Sequence, residues 1–377
     1  DFMKFREFKL ERLFARYETK AKYRLSQVAC AGWTMKEILD MADDECKKWW
    51  DELSLGYNDI RGFMPLCDAI STRYETIRPR DIIEVVPEEG IFIYMNTILD
   101  PGDEVIVMQP ALPSLYEIPR ALGCKVIRWP LEVTSFGWKL DVDFLAENIS
   151  PKTKLLVLNN PNNPTGYIPI RPEMERILNL ADRNGTWVFC EEMYRGMEHD
   201  PAAALPSVAD LYLRATVVGG INRFGLPGTR IGWLVTKNRQ LLEECASYRD
   251  YTTLCSAAPS EILATIALRN ADALMKRNHD IILSNLELAE KFFTKKHKKL
   301  FSWRQPDGGA IAFPLLNKKF DVTEMCEDAI ENHGLLIIGA RAYGMPDNNF
   351  RVGLGRRDFK DALPVFHGMA KEMEKQL

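Results

Sequence analysis

The chain has 377 residues, 46% of them hydrophobic and 27% charged, which is the balance of a globular protein large enough for two or three domains. Lys and Arg total 49 and Asp and Glu 53, so the formal charge is −4 and gives no footprint for nucleic acid or an anionic membrane surface. No apolar run reaches the length of a membrane span, and DFMKFREFKLERLF at the start is too charged for a signal peptide. The eight cysteines are scattered with no C-x-x-C pair, which predicts no zinc site or other metal, no disulfide framework, and reduced thiols in a cytoplasm.

Residues 9–23, mixed-charge and aromatic, read as an N-terminal arm with a short helix. Residues 34–53 read as one helix, with Ile38, Leu39, Met41 and Ala42 on its apolar face and a Thr34-x-x-Glu37 capping box. A glycine-bounded loop over 55–62 leads to a helix over 64–74 and a strand over 82–86. Pro87-Glu88-Glu89-Gly90 opens a helix to residue 99, with proline and acids in the first turn where helices favour them. Strand and helix then alternate: strands over 104–108, 125–129, 154–158 and 186–190, helices over 115–122, 141–148 and 171–184. Uninterrupted β-branched runs indicate strands buried on both faces, and intervening helices indicate parallel crossovers. A strand, a tight turn and a second strand fill 217–235. A long helical stretch over 240–279 precedes a smaller α+β unit, with helices over 282–295, 322–332 and 358–374 and strands over 310–313, 335–338 and 349–354. The expected plan is an N-terminal arm and helix packing with the small unit (1–50), a large α/β domain with a central, mostly parallel sheet (51–282) and a small C-terminal α+β domain (283–377).

Three stretches carry chemistry. Asn159-Asn-Pro-Asn-Asn-Pro-Thr-Gly166 forms a rigid loop directly after a predicted strand, where the ligand crevice of a parallel sheet lies. The strand over 186–190 runs into Glu191-Glu-Met-Tyr194. Gly219-Gly-Ile-Asn-Arg-Phe-Gly-Leu-Pro-Gly-Thr-Arg-Ile-Gly-Trp233 places Arg230 in a glycine-rich turn, where a buried guanidinium requires an anion. The five histidines show no triad or metal spacing and are expected to be mostly solvated.

These strings resemble fold-type I pyridoxal-phosphate (PLP) enzymes, the class I/II aminotransferase family, over essentially the whole chain. Arg249-Asp-Tyr-Thr-Thr253 and Phe8-Lys-Leu-Glu-Arg12 narrow the resemblance to a branch that includes capreomycidine synthase-like enzymes of amino-acid-derived natural products. The resemblance implies that Asn163 and Tyr194 donate to the cofactor's 3′-oxygen and that Glu191 takes the place of the Asp paired with the pyridine nitrogen. It implies that Pro87 and Glu88 start the phosphate-binding helix, with Arg230 as a charged fork on the phosphate. Tyr57 would reach the partner's site in a homodimer, and Arg351 would clamp the substrate α-carboxylate in a bidentate pair. The resemblance also exposes departures. Asn222 stands at the lysine that forms the Schiff base, Ile221 at the usual serine, Leu112 at the aromatic that stacks on the ring, and Glu191 at the aspartate. An amide is neither a nucleophile nor a useful base, so Asn222 cannot hold the cofactor as an imine or shuttle its proton. Arg223 stays protonated and cannot replace the lysine.

Ordinary transamination is therefore not expected. The leading expectation is a protein of this fold that binds or acts on an amino acid or amino-acid-derived carboxylate in specialised metabolism, with PLP non-covalent or absent. Glu191 and Tyr194 are its acid–base candidates, Glu191 because an apolar wall would raise its pKa. A catalytically dead partner or scaffold subunit is second, and a PLP enzyme using a substitute base such as Lys237 or Tyr194 is third.

Overall fold

The computed structural model describes residues 5–134 and 137–377. Its centre is an eight-stranded sheet of order β1-β8-β7-β6-β5-β2-β3-β4. The strands are β1 (Ile82–Val85), β2 (Glu104–Gln109), β3 (Lys125–Thr134), β4 (Gly137–Leu140), β5 (Thr153–Asn159), β6 (Trp187–Glu191), β7 (Ala215–Gly220) and β8 (Gly232–Thr236). The five strands from β7 to β3 run parallel, while β8, β1 and β4 each pair antiparallel. The sheet is sandwiched because its strands are apolar on both faces. Along β5, Leu155 and Val157 join Val107, Phe189 and Val218 beneath the helix Pro87–Ile98. Leu156 and Leu158 point the other way, joining Val188, Val217 and the helices Arg171–Asn184 and Ala258–Arg269. That two-residue alternation between two dry faces produces the uninterrupted apolar runs of the sequence.

Beyond the helix Ala271–Glu290 lie short strands β9 (Phe301–Ser302), β10 (Ile311–Ala312), β11 (Leu315–Leu316), β12 (Ile338–Gly339) and β13 (Phe350–Gly353), with the helices Val322–His333 and Phe359–Glu374. They surround a separate core built on Phe292, Phe301, Phe350 and Phe366. The helix Lys9–Tyr17 packs Leu10 and Tyr17 against Leu336, Ile338, Ala340 and Tyr343.

The structure corrects several boundaries. The helix expected over 34–53 is two, Met35–Leu39 and Asp44–Asp51, because Asp43 accepts from Cys46 N at 2.8 Å and caps a new start. The helical stretch over 240–279 is interrupted between Arg249 and Ala258, where Thr252 and Thr253 turn back onto Glu89. The strand over 335–338 is reduced to β12, and β4 was not anticipated. It pairs with the end of β3 at the sheet edge, Leu131 opposite Leu140 and Val133 opposite Trp138. No described helix is long and apolar enough to cross a membrane, and all eight cysteines are free thiols.

Candidate functional site

The loops after β1, β2, β5, β6 and β7 open together at the C-terminal edge of the parallel strands, where open α/β sheets place their ligands. There they enclose a cavity of about 420 Å³. Its wall brings together Asn163, Glu191, Tyr194 and Asn222 with Pro87 and Glu88. Leu112, Arg230 and Arg351 complete the set. Residues chosen from six separated stretches therefore converge. Tyr57 does not join them; it is 91% exposed, on a loop bordering a larger, mostly apolar cavity of about 680 Å³ walled by Trp49, Leu53 and Phe63.

Asn222 begins a 3₁₀ turn between β7 and β8, and Gly225 closes it at φ 90°. A Cβ on Gly225 would lie 2.5 Å from the carbonyl of Ala31, so glycine is required twice over. The Oδ1 of Asn222 is buried on the cavity wall without a hydrogen-bond partner, an acceptor waiting for a donor. Arg223 turns away from the cavity and gives its guanidinium to the carbonyls of Arg195 and Glu192 at 2.5 and 3.4 Å. Burial and the neighbouring Arg195 lower its pKa only to about 10, so it is a cation at neutral pH.

Glu191, at the end of β6, is 1% exposed. Its Oε2 accepts from Asn159 Nδ2 at 2.5 Å and its Oε1 from Met193 N at 2.6 Å. Burial pushes its carboxyl up to about 8, with Glu88 and Glu192 adding to the shift and the Met193 N–H opposing it. Glu191 is therefore mostly protonated at pH 7 and titrates just above neutrality, as a usable acid–base group requires. A protonated-carboxyl infrared band that fades as pH rises through about 8 is expected, and Glu191→Gln should remove it; a spectrum identical in the variant would refute the assignment. Tyr194 is different. Its hydroxyl donates to the carbonyl of Val28 at 3.1 Å, and burial pushes its pKa well above the ordinary tyrosine value. It shapes the wall but is no base near neutrality.

Arg351, on β13, is 1% exposed. Its Nε donates to Ser26 O at 2.9 Å and one amino arm to the hydroxyl of Tyr343. That hydroxyl in turn donates to Asn163 Oδ1 at 3.3 Å. A hydrogen-bonded line thus joins the arginine to the Asn-Pro loop, leaving further guanidinium N–H groups for an anion in the cavity. Tyr343 was not anticipated.

Arg230 departs from expectation. It is exposed at the mouth rather than buried, at φ 57°, and donates to Pro227 O at 3.1 Å. Its charge faces Glu88, an exposed residue whose carboxyl, set against the cavity wall, is nonetheless raised by partial desolvation and by Glu11. The mouth has a second unexpected contributor: the helix Lys9–Tyr17 and the turn after it bring Leu10, Glu11, Phe14 and Glu18 over the cavity.

No lysine lines the cavity among the described residues. Lys237 follows the far end of β8, five residues past Gly232 and about 16 Å along the strand, where its Nζ reaches Asp210 O at 3.3 Å. Lys237 is therefore removed as a substitute base. Four of the five histidines are partly exposed and one is buried. His297 is buried against His367 at 2.7 Å and Glu374 at 3.2 Å, and His199 bonds the carbonyls of Pro306 and Gly309. Among the described residues no cluster of His, Cys, Asp or Glu could hold a metal.

The fold and the cavity define a fold-type I PLP-transferase architecture. Residues 88–358 match the model of aminotransferase class I and II, and the chain belongs to that family. It is 31% identical over 267 residues to capreomycidine synthase of Streptomyces vinaceus, covering 70% of this chain and 67% of that one. Among solved structures it resembles a PLP-dependent aminotransferase from Streptococcus suis, with TM-score 0.91 and 25% identity over 98% of this chain and 99% of the other. The PLP-dependent cyclase OrfR gives TM-score 0.89 at 25% identity, covering 98% of both chains.

The family implies PLP, and the wall fits it only in part. Asn163, Tyr194 and Glu191 line the cavity, but among the described residues its wall offers no amine that could hold the cofactor as an imine. The residues present do not fit PLP as this family holds it.

Proposed function

We propose that this protein has left transamination and uses the family's cavity to bind an amino acid or an amino-acid-derived carboxylate, with no covalently held cofactor. The observation that carries this reading is a buried arginine on the wall of a cavity that, among the described residues, has no lysine. The Arg351 fork suits an α-carboxylate, and the unpartnered Oδ1 of Asn222 suits the N–H of an amine. Glu11 and Glu18 at the mouth suit a ligand whose side chain is also cationic. Glu191 is the group we assign to any proton transfer, because burial raises its carboxyl to about 8 and it lines the cavity. The branch of the family points to specialised metabolism, and the eight free thiols agree with a cytoplasmic location.

The reading includes a homodimer. The loop carrying Tyr57 and the turn carrying Tyr251 pack together through Asn58 and Ser256 and expose both rings, at 91% and 90%. The expected division into 1–50, 51–282 and 283–377 holds only in outline: the last part has a separate phenylalanine core, but Ile38, Ala42 and Cys46 join the core of the large domain, and the helices Asp44–Asp51 and Ala271–Glu290 run across both expected boundaries. A dead subunit serving as a partner remains the second reading, favoured by the same exposed aromatic face but not by the buried Arg351.

The deciding experiment is a near-UV and visible spectrum of the purified protein with added PLP, followed by borohydride reduction and intact mass. No covalent adduct at any cavity residue is expected. A reduced adduct within the cavity would overturn the reading.

A further inference from the structure

We infer that the cavity rejects the phosphate of PLP at the start of the helix Pro87–Ile98 and takes an unphosphorylated ligand in its place. This rests on the reading of the cavity as a carboxylate site, and it decides between a cofactor bound without a covalent link and none at all.

A helix start binds an anion through free N–H groups and the positive end of its dipole. Here that machinery is reduced at its first position. Pro87, the first helical residue, has no N–H. The N–H of Val86 donates to Glu89 Oε2 at 3.1 Å. The other oxygen, Glu89 Oε1, receives Thr253 N at 3.1 Å, Thr253 Oγ1 at 2.6 Å and the hydroxyl of Thr252. The helix start therefore has a carboxyl of its own beside it, fastened from across the chain by residues 252 and 253.

Pro87 cannot simply withdraw. Its ring is wedged between the ends of β7 and β8, where a Cβ on Gly232 would come within 2.7 Å of Pro87 Cγ and one on Gly220 within 3.2 Å. Beside it the Glu88 carboxyl lines the cavity, and its charge and that of Arg230 act on each other. The arginine that would meet a phosphate thus faces a carboxyl of the chain itself. A phosphate ester brings a charge of about −1.5 to −2 near neutrality. It would meet Glu88 and Glu11 with one exposed arginine in compensation, and its approach would drive Glu88 further toward protonation.

The test compares pyridoxine 5′-phosphate with pyridoxine on the full-length chain by isothermal titration calorimetry; neither has an aldehyde, so surface lysines form no imine. The phosphorylated compound is expected to bind no tighter than pyridoxine, or not at all. The double variant Pro87→Ala/Glu88→Ser restores an N–H and removes a charge. It should gain affinity for the phosphorylated compound by at least about tenfold, with a smaller change for pyridoxine. A wild-type preference of about tenfold or more for the phosphorylated compound overturns the inference. So does a folded double variant, checked by circular dichroism, that gains nothing. Tight phosphate-dependent binding with no borohydride adduct would refute only this inference and leave the preceding reading standing; an adduct within the cavity would refute that reading as well.

Discussion

Replacing Arg351 with methionine is expected to weaken binding of α-carboxylate ligands by on the order of a hundredfold and to destabilise the fold by about 2–4 kcal/mol. The two effects have different origins. Affinity falls because a charge-assisted, two-pronged contact has no substitute in an apolar side chain. Stability falls because Ser26 O and the Tyr343 hydroxyl each lose a buried donor. Tyr343→Phe separates them. It keeps the guanidinium but cuts the line from Arg351 to Asn163 Oδ1, so a smaller loss is expected, about tenfold in affinity and about 1 kcal/mol in stability. Calorimetry with a panel of amino acids and urea unfolding of both variants make the comparison. Unchanged affinity in Arg351→Met would place the ligand's carboxylate elsewhere and remove the main support for the proposed function.

What the sequence made legible follows from how local each signal was. The Asn-Pro loop, the end of β6 and the glycine-rich turn each announce themselves within about a dozen residues, because rigid turns and buried strands need particular residue types at fixed spacing. The alternating strands and helices likewise gave the central sheet, including its place in the chain. Contacts between distant stretches were hidden. Glu11 lies on a charged helix that reads as a solvated face and Glu18 in the turn that follows it, and only the docking of Leu10 and Tyr17 on residues some 320 positions away turns them over the cavity. Tyr343 is a single tyrosine between alanine and glycine, with no pattern to mark it. Arg230 was misjudged for a physical reason: its glycine-rich surroundings were read as buried, whereas the turn carries it out to the mouth. The cap that Glu89 places on its own helix was legible as acids in a first turn, but its fastening to Thr252 and Thr253 was not.

Glu261→Gln should make the protein less sensitive to alkali than the unaltered chain. Glu84 on β1 and Glu261 on the helix Ala258–Arg269 are both buried, 0% and 3% exposed, and their carboxyls contact each other. Each has one oxygen satisfied from the loop, Glu84 Oε1 by Phe63 N at 2.7 Å and Glu261 Oε2 by Asn58 Nδ2 at 2.6 Å. The remaining oxygens, Glu84 Oε2 and Glu261 Oε1, make no hydrogen bond of ordinary geometry to another residue, although the Ser256 hydroxyl lies beside Glu84, and a proton shared by the pair would satisfy both. Burial, above all, holds both carboxyls above the usual carboxylate range; for Glu261 the charge of Glu84 adds to it, while the buried Arg249 opposes the shift on both. The sign follows directly. The folded chain keeps a proton that the unfolded chain releases above the ordinary glutamate pKa of about 4.3, so the stabilisation is full below that pH. It is lost as pH rises toward the folded-state value, by up to about 1.4 kcal/mol per pH unit. The amide of a glutamine supplies a permanent donor to Glu84 without a titrating proton, so that part of the slope should vanish. Urea midpoints at pH values of about 6, 7.5 and 9 measure it, and parallel profiles for the two proteins would show that the pair shares no proton. Because Asn58 and Phe63 hang the Tyr57 loop on these two carboxyls, the same difference in pH dependence should appear in amide exchange of residues 58–63, the segment that would meet a second subunit.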